Sequence, residues 1–304
     1  MPEPCLGSGE HSDKEPPPQS GRDIETAMRT ILARLPLAPI LAALFATFPL
    51  ATQAQDIAAL YRAKALVTGT GEENRQIGFR LCLRDVLVRV SGDQRVVRDP
   101  AFNSLLDEAG TFVADFHYRD RLEGIPVHDE QGTHDRPHDL TCIYKPETLD
   151  PVLASLGSKP WLAARPKLAV FLAVRDQRRR FVLSADGEES PYMVESFVAA
   201  AEPMAMSIVI PSAALLDNAG LAFEEVHDAP PELIERTAKE IGGNVPLFGS
   251  IVWSDADLGW IADWRLRFNG RTYRWQVRGV SFDEAFRNAV RGAAQVLSGN
   301  GEPD

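Results

Sequence analysis

Cysteine is scarce in this chain of 304 residues, which contains three cysteines and no C-x-x-C pair. Scaffolds held together by many disulfides, and zinc sites built from paired cysteines, are therefore excluded. The chain also lacks the G-x-S-x-G and S-x-x-K motifs of serine hydrolases and the G-K-S/T ending of a phosphate-binding loop. No catalytic class is indicated, although a catalytic triad can assemble from residues far apart in sequence.

Positive charge is in deficit as well, because 32 Lys and Arg residues are outnumbered by 43 Asp and Glu residues, for a net charge of −11. This balance argues against nucleic acid or an anionic membrane surface as the partner. The composition is otherwise that of a folded protein, with 44% hydrophobic and 25% charged residues. The length suffices for two domains of common size.

The N-terminal segment predicts export from the cytoplasm. Residues 1–27 are rich in Pro, Gly and Ser, so we expect them to be disordered and to precede a true start at Met28. Residues 28–54 contain two arginines, then a short apolar stretch interrupted by prolines, then a small-residue cleavage site ending at Ala54. This order is typical of a cleaved signal peptide, and the stretch is short for a membrane span. We therefore expect a periplasmic protein with no transmembrane segment after cleavage.

The remaining chain predicts an α/β fold of the mixed α+β type, with two small domains that each consist of a mixed sheet and helices packed on it. The domain boundaries are, in order, an N-terminal domain at 55–157, a linker at 158–166, a C-terminal domain at 167–298 and a disordered tail at 299–304. In the first domain we expect strands at 60–68, 115–122 and 140–145, and helices at 72–90, near 101–116 and from 146. Thr70 and Glu73 form a capping box for the first long helix.

The second domain begins with a continuous apolar strand at 167–174, and helices are expected over one side of its sheet. Further elements are expected at 180–184, 190–204, 207–210, 231–242, 245–253, 259–269 and 271–280, with a closing helix after Ser281. Asn269 and Gly270 join the last two strands, and this pair is the strongest short signal for a two-residue hairpin. Such a turn pairs Trp264 with Trp275, so a Trp-rich antiparallel hairpin should pack beneath the C-terminal helix.

The two faces of this hairpin suggest different roles. Aromatic residues on one face could bind carbohydrate, but their period of two opposite an amphipathic helix favours a hydrophobic core. The opposite face carries Arg265, Arg267, Arg274 and Arg278. The turn places Arg265 directly opposite Arg274, and like charges in that position are mildly destabilising. A solvated face is the simpler interpretation, and a docking face for an acidic partner or for another part of this chain is the functional one.

Two further groups of residues are candidates for chemistry. His128, His134 and His138 lie in one polar loop with several carboxylates, and such ligands can hold Zn²⁺ or Cu²⁺. The alternative is a solvated loop, because the spacing matches no established metal motif. Cys82 and Cys142 each fall on an apolar face, so they form either two buried free thiols or one disulfide.

Four segments carry a resemblance to a known family. They are, in chain order, LYRAKALVTGTGEENRQIGFRLCLRDVLVRVSGD, PWLAARPKLAVFLAVRD, PLFGSIVWSDADLGWIADWRLRF and GVSFDEAFRNAVRGAAQVL. Together they resemble the bacterial envelope family named domain of unknown function 2066, which has no established activity. The order of helix, strand, Trp-rich hairpin and closing helix is also similar to small periplasmic α/β domains of curli-secretion, penicillin-binding-protein activator and Tol-system proteins.

The function that these observations favour is a non-catalytic periplasmic protein that acts through protein–protein contacts in the cell envelope. Its partner would be an unidentified envelope protein, and no cofactor is expected. The alternatives are an envelope hydrolase whose site the sequence does not reveal, and metal binding through the loop of His128, His134 and His138. A concave pocket with converging polar groups would favour the hydrolase, and its absence would favour the binding protein.

Overall fold

Two β-sheets with helices packed on them make up residues 57–125 and 135–303, the part of the chain that the computed structural model describes. The predicted signal peptide at 28–54 lies outside the described residues, as do His128 and His134. No helix in the two described ranges is long and apolar enough to cross a membrane. The fold is a mixed α/β arrangement, as the sequence predicts.

The first sheet is antiparallel throughout and has three strands in the order β1-β3-β2. Its strands are β1 (Arg62–Thr68), β2 (Asp115–Asp120) and β3 (Pro137–Ile143). The helices around it are α1 (Ile57–Leu60), α2 (Glu72–Ser91), α3 (Pro100–Asp107) and α4 (Pro146–Ser155), with 3₁₀ turns at Gln94–Val97 and Ala109–Phe112. Exposed and buried residues alternate along β1, so one face of this sheet packs against α2 and the other does not.

The start of α2 differs from the prediction. The residue that caps the helix is Gly71, and no side chain accepts a hydrogen bond from its first turn, so the predicted capping box of Thr70 and Glu73 is wrong. The preceding turn is held instead by contacts with a distant segment. Gly69 has φ of +77°, its N–H donates to the carbonyl of Arg136 at 2.7 Å, and a Cβ at this position would meet the Asp135 carboxylate.

A disulfide joins Cys82 of α2 to Cys142 of β3, with the two Cα atoms 6.2 Å apart. Both residues are fully buried in the core between the helix and the sheet. Of the two alternatives left open for these cysteines, the structure therefore has the disulfide. The bond links α2 covalently to the central strand of the sheet that it covers.

The second sheet is mixed and has the strand order β5-β4-β7-β8-β9, with β6 also paired to β4. Its strands are β4 (Leu168–Arg175), β5 (Arg180–Val182), β6 (Ile208–Val209), β7 (Val245–Ser254), β8 (Gly259–Phe268) and β9 (Arg271–Val280). β4 runs parallel to β6 and β7, and the other pairs are antiparallel. β9 is the end strand on this path.

Helices cover both faces of the second sheet, which corrects the expectation that they lie over one side. One face holds α5 (Pro191–Ala201) and α9 (Phe282–Leu297), and the other holds α6 (Ala213–Ala219), α7 (Phe223–Asp228) and α8 (Pro231–Glu240). Alternate residues of β4 belong to different clusters, with Val170 and Leu172 in one and Ala169 and Phe171 in the other. This division explains why the strand is apolar along its whole length.

Residues of the predicted linker contact both halves of the described chain. The Trp161 N–H donates to the carbonyl of Val90 at 2.8 Å, and the Arg165 guanidinium lies 4.5 Å from the centre of the Trp161 ring. Arg165 also donates to the carbonyls of Arg89 and Met204. The described residues belong to one compact unit, and one cluster of buried residues extends from α2 to α9.

The register of the β8–β9 hairpin is the predicted one. Phe268 pairs with Arg271 and Trp264 with Trp275 across a two-residue turn. The turn residues Asn269 and Gly270 have φ of +50° and +75°, the conformation that a type I′ turn requires. Trp264, Trp275 and Trp260 are buried in the cluster that includes α9, so the Trp-rich face forms core, as expected.

Candidate functional site

The outer face of the hairpin brings the four predicted arginines together on two neighbouring strands. We call the set of Arg265, Arg267, Arg274 and Arg278 the arginine face. Arg265 of β8 lies directly opposite Arg274 of β9. A cavity of about 370 Å³ opens beside these two arginines, and Asp263 and Gln276 are among its other lining residues.

The β8 half of the arginine face is covered by helices of the same chain. The Nη1 atom of Arg265 donates to the carbonyl of His227, at the end of α7, at 2.7 Å. Burial lowers the pKa of the Arg265 guanidinium, and the charge of Arg274 lowers it further. Arg267 donates from Nε to Oε1 of Glu235 in α8 at 2.9 Å. These contacts correct the expectation that the whole face is open to solvent.

The β9 half of the arginine face remains accessible. Arg278 pairs with Asp257 at 3.3 Å, and hydrogen bonds from Ser254 and Arg278 lower the pKa of that carboxyl. Arg274 is exposed, and no hydrogen bond or ion pair engages its guanidinium within the described ranges. The face therefore presents one exposed arginine that forms no ion pair with the described residues, beside another that is half-buried.

A second, charged cavity of about 450 Å³ lies beside β1 and α2. Its lining includes Lys64, Asp85, Arg89, His117 and Glu202. Burial raises the pKa of the Asp85 carboxyl, although nearby arginines oppose the shift, and burial lowers the pKa of Arg89. The Arg89 guanidinium holds backbone segments together. Its Nη1 atom donates to the carbonyl of Arg62 at 2.7 Å, and its Nη2 atom donates to that of Glu202 at 3.3 Å. Its buried Nε has no partner among the described residues.

The lining of this cavity includes charged and polar side chains, which the hydrolase alternative requires. Nucleophilic catalysis also needs a hydroxyl or thiol within hydrogen-bond reach of a base. Of the three histidines in residues 57–125 and 135–303, His138 hydrogen-bonds to the Arg136 carbonyl and His227 to Arg265, and neither partner is a nucleophile. The third, His117, lines the cavity, and no hydrogen bond joins its ring to a hydroxyl or thiol of the described residues. The hydrolase alternative stays a prediction, and the cavity beside β1 is where it would be tested.

Of the three predicted metal ligands, His138 is the one that lies among the described residues. His138 lies in β3, where its Nδ1 is 2.8 Å from the carbonyl of Arg136 and its ring packs edge-on against Tyr118. His128 and His134 lie outside the described residues. Within the part of the chain described, no three His, Cys, Asp or Glu side chains form a group that could hold a metal.

Comparisons with known proteins assign no activity to either cavity. A family model described as "Domain of unknown function (DUF8605)" matches residues 54–162. This segment contains all three strands of the first sheet, and the family is a different one from domain of unknown function 2066, which the match does not support. No curated protein matches the chain.

Among solved structures, the chain is similar to the C-terminal domain of LpoB from Salmonella enterica. The identity is 15% and the TM-score is 0.24, over 39% of this chain and 84% of that one.

Proposed function

We propose that this chain is a non-catalytic protein of the bacterial cell envelope that binds another protein through the β9 half of the arginine face. The observation that carries the proposal is the position of Arg274, which is exposed and has no partner among the described residues, beside the half-buried Arg265. Two like charges directly opposite each other destabilise a sheet. An acidic group bound at Arg274 would offset this repulsion, and an acidic partner would therefore bind here in preference to a neutral one.

The location in the proposal rests on the sequence. Residues 28–54 have the order of a signal peptide, and the disulfide between Cys82 and Cys142 is of the kind that persists in an oxidising compartment. We infer export to the periplasm with cleavage after Ala54. We also infer that residues 55–157 and 167–298 are two domains, which share one cluster of buried residues within one compact unit. N-terminal sequencing of the exported protein tests the cleavage, because it should begin at Gln55.

Arg274→Glu tests the binding surface. The side chain is exposed and has no partner among the described residues, so the substitution should leave the stability within about 0.5 kcal/mol of the wild type. Arg265→Glu is unsuitable, because Arg265 is held by the carbonyl of His227 and its loss would disturb α7. Arg178→Glu is the matched control, since Arg178 is an exposed arginine in the turn between β4 and β5.

The measurement is affinity capture from envelope extracts with the three proteins at equal concentration and matched thermal stability. A protein retained by the wild type and by Arg178→Glu should be lost with Arg274→Glu, and its binding should weaken as salt is raised. Retention of the same proteins in the same amounts by Arg274→Glu would contradict the proposal. Turnover of an ester, amide or glycoside substrate that Asp85→Asn abolishes would favour the hydrolase alternative instead.

A further inference from the structure

The free edge of β9 lies directly beside Arg274. β9 is the end strand of the second sheet, and within the described residues its strand partner is β8. In a hairpin with a two-residue turn, the closing pair is hydrogen-bonded, and every second pair after it is hydrogen-bonded too. Phe268 and Arg271 are the closing pair, so Arg271, Tyr273 and Trp275 direct their backbone groups toward β8.

The residues between them direct their backbone groups away from the sheet. Thr272, Arg274 and Gln276 therefore present their N–H and C=O groups along the open edge. No backbone hydrogen bond from a turn or loop of the described chain reaches these groups. Natural edges are usually short or interrupted by a bulge, whereas β9 is 10 residues long and its bulge lies at the far end, opposite Trp260 and Ala262.

We propose that this edge accepts an extended segment of the partner as an added β-strand, in which acidic and apolar residues alternate. The inference rests on the proposed function and specifies how the partner binds. Backbone groups of Thr272, Arg274 and Gln276 would supply the hydrogen bonds, as in other cases of strand addition. The partner residue opposite Arg274 would place its side chain on the arginine face, because side chains of paired residues lie on the same side of a sheet.

The two faces of β9 determine the alternation. On the arginine face, the partner would meet the cation of Arg274 between Thr272 and Gln276, so a carboxylate is the complementary group. On the opposite face it would meet Tyr273 and Val277, which are half-buried and pack against the hydrophobic core, so an apolar side chain is complementary there.

Charge also disfavours a second copy of this chain, paired through the same strand, as the occupant. Antiparallel pairing of two β9 strands centred on Arg274 would place this residue opposite the Arg274 of the other copy, where like charges are destabilising. The same charge that opposes pairing between copies favours an acidic strand. The edge is therefore suited to a different, acidic chain.

The test uses a synthetic peptide of about nine residues with alternating Glu and Val, a length that matches the strand. A second peptide has the same side chains, but its backbone is N-methylated at every Glu, the residues whose N–H groups would face β9, so this edge of the peptide cannot pair. Binding of each fluorescent peptide to the purified full chain is measured by anisotropy. We expect the first peptide to bind, and we expect N-methylation and Arg274→Glu each to weaken binding roughly tenfold or more, with Arg178→Glu as the unaffected control.

Amide hydrogen exchange gives an independent readout. The bound peptide should slow exchange at Thr272, Arg274 or Gln276 and leave Tyr273 and Trp275 unchanged, because their N–H groups are already bonded to β8. Equal binding of the two peptides would overturn strand addition while leaving docking on the arginine face intact. Failure of the unmethylated peptide to bind would also overturn strand addition. The capture experiment with Arg274→Glu tests the proposed function alone, so the two failures can be distinguished.

Discussion

Replacing Gly292 in α9 by Ala should destabilise the protein, although the same change stabilises most helices. In an open helix, Ala is favoured over Gly by about 1 kcal/mol. Gly292 is buried against the hairpin, however, and a Cβ built on it would lie 2.5 Å from Cε2, 2.6 Å from Nε1 and 2.8 Å from Cζ2 of Trp275. Carbon atoms in contact normally lie about 3.5 to 4 Å apart, so the indole ring or the helix would have to move by roughly 1 Å.

The size of the effect follows from what would have to move. Overpacking a core costs about 1 to 3 kcal/mol. We expect the upper end, because the group in the way is a rigid ring that is 5% exposed and lies beneath the helix. Subtracting the helix propensity of about 1 kcal/mol leaves a net loss of about 2 kcal/mol in the free energy of unfolding.

Urea unfolding of the purified chain measures this loss, and a double-mutant cycle identifies its source. Trp275→Leu removes the ring that the new methyl group would meet, so Gly292→Ala in that background should be neutral or stabilising by up to about 1 kcal/mol. An equal loss in both backgrounds would show that the clash is not with Trp275. If Gly292→Ala stabilised the otherwise unchanged protein, the close packing of α9 on β9 would be refuted.

Three further outcomes are expected. Trp264→Ala should lower the free energy of unfolding by about 3 to 5 kcal/mol, since its ring is 1% exposed, and a loss below about 1 kcal/mol in urea would contradict that burial. Reducing the disulfide should lower the free energy of unfolding by about 4 kcal/mol, because the bond closes a loop with a sequence separation of 60. The urea midpoint with and without reductant measures this loss, and an unchanged midpoint would mean that Cys82 and Cys142 are not bonded. Asp85→Asn should stabilise the protein at pH 7, because the pKa of this carboxyl is raised by burial and its ionised form opposes folding. The gain should disappear as the pH falls below about 4, where Asp85 is protonated in both states, and a gain independent of pH would rule out ionisation as the cause.

The hairpin and the helix that closes it could be predicted because their signals are local. Asn269 and Gly270 adopt positive φ at little cost, and this turn determines the register of every pair that follows. The alternation of Trp260, Trp264 and Trp275 then determines which face is core. Nothing distant in the chain is needed for either step, and the register is confirmed.

The start of α2 could not be predicted in the same way. Thr70 and Glu73 have the spacing of a capping box, yet the helix begins one residue later than that pattern requires, with Gly71 as its cap. The turn before it is held by a hydrogen bond from Gly69 to the carbonyl of Arg136, and Gly69 lies close against Asp135. Both residues are more than sixty positions away along the chain. A long-range contact has overridden a local preference, and no local pattern contains that information.

The helices α6 and α7 were missed for a different reason. They are 7 and 6 residues long, too short for an apolar period of 3.6 to repeat, and no side chain caps the start of α7. A signal for them was nevertheless present in β4, whose residues are apolar without alternation. A strand of that kind is buried on both faces, so a layer of helices had to lie on each side of the sheet.

The helices on the outer face of the second sheet determine which residues of the arginine face remain available for a partner. The alternation along β8 and β9 places all four on one face, but it cannot say that the end of α7 covers Arg265 while the free edge leaves Arg274 open. The hydrogen bond to the carbonyl of His227 holds Arg265 on the sheet, where the charge of Arg274 helps to lower its pKa. An acidic group from outside can offset this repulsion by approaching Arg274 along the open edge. The β8 side of the arginine face is therefore covered by α7, which sequence periodicity missed, and by α8, and the β9 side stays accessible.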